Sequence, residues 1–266
     1  MTSTFSTPAF RSFKKFVGEL TAVAAGVYVG IQEVIPLIDS VNVSDPWETV
    51  AKKHNVKLCG LKTERVTSSI IRLSVVSLYS GIDLFFSDIR SQFHHLHEKP
   101  WIQFDGDTPF VALSRNTPSE KEAHESRLGL NRIVSMDYYR LIRNSIAHPS
   151  EAAGVAVEEF YAENQHSLKR VSENYGMKSV PSRVNALSFH DIKFLARLSL
   201  DVASAVDVDF DPGDRKLSSL VPEKFNCLAK TAKRLHNARK SWLAVTYGIQ
   251  SDRAEHILSL KEDSLA

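Results

Sequence analysis

The longest regular pattern of apolar and polar positions lies between residues 66 and 97. Apolar side chains recur there in steps of three or four, at Ile71, Val75, Leu78, Ile82, Phe85, Ile89 and Phe93. This spacing puts them on one side of an α-helix, so the segment is predicted to be a long helix with a continuous apolar stripe. Because such a stripe must be buried against helices of similar length, the pattern predicts an all-α helical bundle.

Four further segments are predicted to be helical. They are residues 8–39, as one or two helices, a short segment from Pro46 to about His54, residues 151–171, and a segment to about Val206 that begins at Ser188 and Asp191, which have the spacing of a capping box. Asp45 is a preferred N-cap residue, and the proline after it suits the first helical position. Pro36 lacks the N–H that a continuing helix uses, so we expect it to kink or end the first of these helices.

Residues 99–127 are rich in proline, glycine, aspartate, threonine and serine, which predicts a loop. Trp101, Phe104 and Phe110 give this loop apolar side chains that can pack on the bundle. Its length suggests a lid or a subunit contact. Ser119 and Glu122 have the spacing of a capping box and are expected to begin the next helix.

A cluster of aspartates and the Pro212-Gly213 turn follow Val206 and mark the clearest boundary in the chain. We therefore divide the sequence into three segments. These are an N-terminal helical extension (residues 1–64), a helical bundle (residues 65–210) and a basic C-terminal helical segment (residues 211–266).

Composition indicates a soluble globular protein, since the 266 residues are 43% hydrophobic and 24% charged. The net charge is only +2, so any basic surface must be local. The two cysteines, Cys59 and Cys227, lie far apart, which favours free thiols in a reducing compartment. No secretory signal is evident, and the 13 uncharged residues between Glu19 and Glu33 are too few for a membrane span. We expect a cytoplasmic protein with no membrane attachment.

The candidate chemistry lies near the middle of the chain, in the segment that ends at Pro149. Val134, Tyr138, Leu141, Ile142, Ser145 and Ile146 recur at helical spacing, and a proline disfavours helical geometry at the residue before it. The helix should therefore end near Ala147 and leave His148 at its C-terminus. Asn144 and His148 are four residues apart and share a face, with Arg143 one position round. An imidazole beside a fixed cation and an amide suits phosphodiester cleavage, because histidine can hold or release a proton near neutral pH.

The sequence Arg143-Asn144-x-x-x-His148 resembles the signature of the HEPN superfamily (higher eukaryotes and prokaryotes nucleotide-binding). In that signature four to six residues separate an arginine from a histidine, and a polar residue, often asparagine, follows the arginine. The motif itself covers six residues, and the helical pattern extends the resemblance to about residues 65–210. The resemblance implies an HEPN-like bundle, usually a two-fold dimer, and in many members a metal-independent endoribonuclease activity.

The resemblance also implies roles for the three motif residues. His148 would act as the general base on a ribose 2′-OH or as the acid on the leaving 5′-oxygen, and Arg143 would hold the scissile phosphate. Asn144 would orient either group by hydrogen bonds. No cofactor or metal is expected. The family further implies a toxin or defence nuclease that is a homodimer, acts on RNA and is restrained by an antitoxin or another regulatory partner.

Two other interpretations of the motif stay open. Arg143 and His148 can be a solvated arginine and a capping histidine at an ordinary helix end. The same helix end can also belong to a non-catalytic HEPN-like module that binds nucleotide or protein.

The C-terminal segment carries a concentration of basic residues. Residues 214–240 contain eight lysines and arginines against two acidic residues, which is +6 by count. Those expected to contact a phosphate backbone are Lys230, Lys233, Arg234, Arg239 and Lys240. A solvated basic face is an equal alternative. Leu243, Ala244, Gly248 and Ile249 have the spacing of a helix-turn-helix, which suggests either a DNA-binding regulator or a helical hairpin docked on the bundle.

Several other classes of site are not indicated by the sequence. His94, His95 and His97 stand at spacings that do not put three ligands on one helical face, so no metal site is predicted there. Glycine-rich phosphate loops, Gly-x-Ser-x-Gly elbows and His-Glu-x-x-His motifs are missing from the sequence. P-loop enzymes, serine hydrolases of that type and zinc proteases are therefore not predicted.

Overall fold

A computed structural model describes residues 5–117, 126–177, 179–223, 225 and 231–263, and the all-α class predicted above is confirmed within them. These residues form ten helices of seven residues or more and no strand. The helices are α1 (Pro8–Asp39), α2 (Pro46–Lys52), α3 (Thr63–His97), α4 (Pro109–Asn116), α5 (Leu130–Ala147), α6 (Glu151–Asn174), α7 (Phe189–Asp209), α8 (Asp214–Leu220), α9 (Ala232–Tyr247) and α10 (Ser251–Asp263).

Helix α3 is the long helix that the apolar pattern predicts. Its bounds, Thr63–His97, extend the predicted segment by three residues at its N-terminal end. The seven residues of the predicted stripe are all at most 4% exposed. The stripe therefore forms the buried side of the helix.

Helix α1 corrects the expectation for Pro36. The helix continues through this proline to Asp39, so the prediction that Pro36 could end it is wrong. Pro36 lies in the last turn and retains its carbonyl, which accepts a hydrogen bond from the backbone N–H of Ser40 at 3.1 Å. Proline removes one donor but no acceptor, so this turn can still close.

Helix α4 corrects the prediction of a continuous loop over residues 99–127. Thr108 caps the helix by accepting a hydrogen bond from the N–H of Val111, and Pro109 occupies its first turn. Phe110 and Leu113 are buried, and the Phe110 ring meets Phe86 of α3 edge to face. An eight-residue helix has too few turns to show a clear apolar period. The predicted capping box at Ser119 and Glu122 lies outside the described residues.

Two short predictions at chain turns are confirmed. Asp45 caps α2, its carboxylate accepting a hydrogen bond from the N–H of Glu48 at 3.0 Å, with Pro46 in the first turn. The predicted Pro212-Gly213 turn lies between the end of α7 and the start of α8, where Gly213 has φ 83°. A positive φ is readily adopted by glycine, which has no Cβ.

The chain divides into two compact units. The first comprises Met1–Lys14, Asp83–Gly129 and Asp201–Ala266, and the second comprises Lys15–Ile82 and Leu130–Leu200. Their bounds differ from those of the three segments predicted from sequence, whose division into domains stays a prediction.

In the first unit, buried polar contacts link residues that are distant in sequence. The carboxylate of Asp207 accepts hydrogen bonds from both the N–H and the hydroxyl of Thr7, which precedes α1. Arg253 of α10 binds Asp211 and Asp214, with its Nη1 2.7 Å from Asp211 and its Nε 2.7 Å from Asp214. These contacts position α8 and α10 at the end of α7.

Two helices are long and apolar enough to cross a membrane by length and composition. They are Pro8–Ser40, with a mean hydropathy of 1.6, and Thr63–His97, with 1.4. Core helices of soluble proteins pass the same test, and 44% of the apolar window of α3 is buried. The two helices are therefore weak evidence for a membrane span.

Candidate functional site

Helix α5 ends where the sequence predicts. Its last residue is Ala147, and the backbone N–H of His148 donates to the carbonyl of Asn144 at 2.8 Å. Helix α6 begins at Glu151, capped by the Ser150 hydroxyl, which accepts a hydrogen bond from the N–H of Ala153 at 3.1 Å. His148 and Pro149 therefore form the short connection between two helices that pack along each other.

Two adjacent tyrosines anchor α5 in the core of the second unit. The hydroxyl of Tyr138 donates to the carbonyl of Ser182 at 2.6 Å, and its ring stacks on that of Phe160. The hydroxyl of Tyr139 donates to Oδ1 of Asp191 at 2.8 Å, and both residues are fully buried. Burial raises the pKa of both phenols above the ordinary range, so each stays a hydrogen-bond donor.

The carboxylate of Asp191 accepts several hydrogen bonds at the start of α7. Besides Tyr139, it accepts from the N–H of Ser182 at 2.9 Å and from the N–H of Ser188 at 2.8 Å. The predicted capping role of Ser188 and Asp191 is thus confirmed for the carboxylate. A buried carboxylate is tolerated only when it is well hydrogen-bonded, so this cluster holds α5, α7 and the preceding loop in register.

The motif residues Arg143 and Asn144 lie together. Nη1 of Arg143 donates to Oδ1 of Asn144 at 2.9 Å, and both side chains are partly buried. This contact orients the Asn144 carbonyl toward the guanidinium and leaves its NH₂ group, a double donor, for another acceptor.

His148 is exposed at the end of the same helix. Within the described part of the chain, its imidazole makes no hydrogen bond and no ion pair. Arg143 and Asn144 are thus joined directly. His148 follows Asn144 by one helical turn, and no side-chain hydrogen bond to either residue is found in the described part of the chain.

The three motif residues differ in exposure, since His148 is exposed whereas Arg143 and Asn144 are partly buried. Three pockets, lined by side chains that include Trp101, His97 and Tyr161 respectively, contain none of the three motif residues.

The predicted nucleic-acid-binding residues of α9 fall into two groups. Lys233 and Arg234 are exposed, while Arg239 and Lys240 are partly buried. Lys240 forms an ion pair with Glu255 of α10 at 2.5 Å, and His236 lies 2.8 Å from the same carboxylate. Lys230 lies outside the described residues.

Helices α9 and α10 are joined by a tight turn and pack against each other. Gly248 ends α9 in the left-handed conformation, φ 66°, and accounts for the glycine in the helix-turn-helix spacing. The one arginine of α10 is paired, and two of the exposed side chains of this helix are acidic. Arg253 binds two aspartates, while Asp252 and Glu255 are exposed.

The three histidines at the end of α3 separate in the structure. His94 and His95 are exposed, whereas His97 packs against the rings of Phe93 and Phe210. Burial lowers the pKa of His97, which favours its neutral form. Among the described residues, no group of three or more histidine, cysteine, aspartate or glutamate side chains could hold a metal ion.

Sequence reasoning missed one functional support, the contact between Tyr139 and Asp191. Asp191 was identified as a capping residue, and Tyr139 was left out of the predicted apolar face of α5. The signal for their pairing was the polar end of a buried tyrosine, which normally requires a partner. Nothing in the sequence names that partner, 52 residues away.

Comparison of the chain with protein-family models, with curated proteins and with solved structures finds no match. The resemblance to HEPN proteins therefore rests on the motif residues and on the helical pattern around them.

Proposed function

We propose that this chain is a metal-independent endoribonuclease with an HEPN-like helical bundle, in which Arg143, Asn144 and His148 are the catalytic residues. One observation carries the proposal. Arg143 is hydrogen-bonded to the adjacent Asn144, on a helix that is anchored by the buried hydrogen bond from Tyr139 to Asp191. His148 is exposed at the end of the same helix. The all-α class and the long helix α3 in the same chain support the proposed bundle.

In the proposed reaction, the ribose 2′-oxygen attacks the adjacent phosphorus and the bond from phosphorus to the 5′-oxygen breaks. His148 takes the 2′-OH proton, or gives a proton to the leaving 5′-oxygen. The Arg143 guanidinium stabilises the charge that develops on the phosphoryl oxygens. The NH₂ group of Asn144 donates to the phosphate or to the imidazole. The products are a 2′,3′-cyclic phosphate and a 5′-OH. The phosphorus carries two ester bonds and one negative charge both before and after the step.

The resemblance to HEPN proteins, which are usually two-fold dimers, supports a homodimer as the working form. Two copies would supply the two walls of a cleft for a single RNA strand, and either copy could contribute the acid or the base. We further propose a cytoplasmic toxin or defence nuclease restrained by an antitoxin or regulatory partner, since an unrestrained ribonuclease damages its host.

The test is cleavage of single-stranded RNA by the purified full-length protein in EDTA. Arg143→Ala and His148→Ala should each lower the rate by about a hundredfold or more, which is typical of removing a general acid–base or a transition-state cation. Arg170→Ala and His166→Ala are matched controls on the exposed side of α6 and should leave the rate unchanged. Cleavage that stops with chelator, or that persists in both motif variants, removes the proposal.

The same experiment separates the alternatives. A non-catalytic HEPN-like module would bind RNA or a protein partner without cleaving RNA. A DNA-binding regulator would bind duplex DNA independently of Arg143, through residues beyond Asp214. The acidic, internally bonded surface of α10 weighs against this last function, because phosphate backbones repel acidic side chains.

A further inference from the structure

Helix α1 presents an apolar surface that the described part of the chain leaves uncovered. Only 11% of its most apolar 18-residue window is buried. Val23, Val29 and Leu37 are each about 60% exposed, at 63%, 57% and 61%. Scattered apolar residues are normal on protein surfaces, but here they occur in one helix with no charged residue between Glu19 and Glu33. An exposed surface of this kind indicates a contact with another apolar surface.

The exposed positions define one face, which we call the α1 face: Lys15, Gly18, Ala22, Gly26, Val29, Gly30 and Glu33, all exposed. Lys15 and Glu33 are 18 residues apart, about five helical turns, so they mark the two ends of the same side. A Cβ built on Gly18, Gly26 or Gly30 meets nothing within 4 Å. The middle of the α1 face is therefore shallow and allows another helix to approach closely.

The charges at its ends argue against a lipid surface as the main partner. The uncharged stretch of 13 residues is about 20 Å long, shorter than the hydrocarbon core of a bilayer at about 30 Å. Glu19 and Glu33 both lie at its borders, and anionic headgroups would repel them. Glu33 makes no ion pair within the described part of the chain.

The same charges select one way of pairing two copies of this helix. A parallel pair would put Lys15 on Lys15 and Glu33 on Glu33, which is repulsive. An antiparallel pair centred at Gly26 would put Glu19 opposite Glu33. An antiparallel pair centred at the level of Ala24 instead puts Lys15 opposite Glu33 at both ends, because 15 and 33 are equally far from 24.

That register also matches the small residues. Gly18 then faces Gly30, and Ala22 faces Gly26, so both helices are narrow at these two levels, while Val29 lies opposite Glu19. Val29 and its symmetry mate lie beside this seam and lose their exposure to water. A two-fold axis requires each contact to occur twice, and this arrangement satisfies that condition with opposite charges and small side chains.

We propose that the α1 face is a homodimer surface, on which α1 of a second copy lies antiparallel with Lys15 paired to Glu33. None of the three motif residues belongs to this contact, and the proposal does not rest on the proposed nuclease activity. The exposed pair between Lys15 and Glu19 of the same chain, at 3.7 Å, is too weak to compete strongly.

The experiment measures dimerisation of the full-length protein by sedimentation equilibrium. Lys15→Glu and Glu33→Lys should each weaken the dimer by about tenfold or more, since two attractive contacts become repulsive. The double variant restores opposite charges and should return to the wild-type dissociation constant. Lys57→Glu, at another exposed position of the same unit, is the control for net charge and should change nothing.

A second variant tests the close approach. Gly26→Leu fills the shallow centre and favours helix, so it should abolish the dimer while circular dichroism shows no loss of helicity. A monomer at all concentrations overturns the proposal, as does a dimer that is insensitive to both single charge changes or to Gly26→Leu. Wild-type monomer that sediments with phosphatidylcholine vesicles would assign the face to lipid instead. RNA cleavage is not used as a readout, so failure here leaves the proposed roles of Arg143, Asn144 and His148 standing, although a monomer at all concentrations would also remove the homodimer proposed with them.

Discussion

The phenolic oxygen of Tyr139 lies 2.8 Å from Oδ1 of Asp191, and neither residue is exposed to solvent. Tyr139 lies on the helix that carries Arg143 and Asn144, four and five residues farther on. Asp191 belongs to the first turn of α7 and is also bonded to Ser182 and Ser188. One buried hydrogen bond thus fixes the helix of the candidate site against the rest of its unit.

Replacing Tyr139 by phenylalanine should lower the free energy of unfolding by about 1–3 kcal/mol. The substitution removes one donor from a buried carboxylate and leaves the ring volume nearly unchanged. Urea unfolding at neutral pH measures the change.

Tyr28→Phe is the matched control in the same unit. The Tyr28 ring stacks on Phe189, but its hydroxyl makes no hydrogen bond within the described residues, so the loss should be smaller than about 0.5 kcal/mol. Equal losses in the two variants would contradict the role of the Asp191 contact.

Local patterns in the sequence predict the elements of this chain better than they predict its contacts. The stripe of α3 and the end of α5 before Pro149 depend on spacing and on one proline, and both are confirmed. Helix α4 was missed because eight residues between prolines show too little periodicity. Pro36 does not end its helix, because the effect of a proline depends on how near it lies to the helix end.

In the candidate site, too, the sequence predicts the helix and the neighbouring residues better than the contacts with distant residues. The approach of Arg143 and Asn144 follows from their adjacency and from the helix. The anchoring of their helix by Asp191 depends on tertiary packing, which brings residues 52 positions apart into contact. Spacing along one helix carries no information about such a partner.

Asp207 should make the first unit less stable as the pH rises from about 4 to about 6. Burial raises its pKa from 3.8 to about 6, although the hydrogen bonds from Thr7 act in the opposite direction. The folded chain therefore binds this proton more tightly than the unfolded chain does. The stabilisation is complete below pH 3.8 and is lost as the pH passes through about 6. The shift corresponds to about 3 kcal/mol.

Unfolding by urea across this pH range measures the effect of Asp207. In Asp207→Asn the amide cannot ionise, so this component of the pH dependence should disappear. Asp105→Asn, at an exposed loop position, is the control and should keep the wild-type profile. An unchanged profile in Asp207→Asn would show that another group is responsible.

Two glycines in helices of the second unit should respond oppositely to alanine. A Cβ on Gly154 meets nothing within 4 Å, so Gly154→Ala should stabilise the protein by about 0.5–1 kcal/mol through helix propensity. A Cβ on Gly81 would lie 2.0 Å from Cε1 of Phe16. Gly81→Ala should therefore destabilise the protein by about 1 kcal/mol, because overpacking outweighs propensity.

The Phe16 ring provides the control for Gly81. When Phe16 is first replaced by alanine, the clash is gone and Gly81→Ala should become stabilising, like Gly154→Ala. Thermal unfolding of the four proteins of this double-mutant cycle gives the coupling directly. Additive effects of the two substitutions would mean that the ring moves aside at no cost.

Lys233 and Arg234 should carry the salt-dependent part of any nucleic-acid binding by α9. Both are exposed, whereas Lys240 is already paired with Glu255. Each phosphate contact with a single strand contributes a slope of about 0.7 to the dependence of log affinity on log salt. Lys233→Ala/Arg234→Ala should therefore reduce that slope by about 1.4, and Lys240→Ala should reduce it less. Fluorescence anisotropy with single-stranded RNA at increasing salt measures it. Lys169 and Arg170 form the same dipeptide on α6. Their double alanine variant is the control and should bind as the wild type does. An equal reduction of the slope in this control would mean that net charge, and not the surface of α9, governs binding.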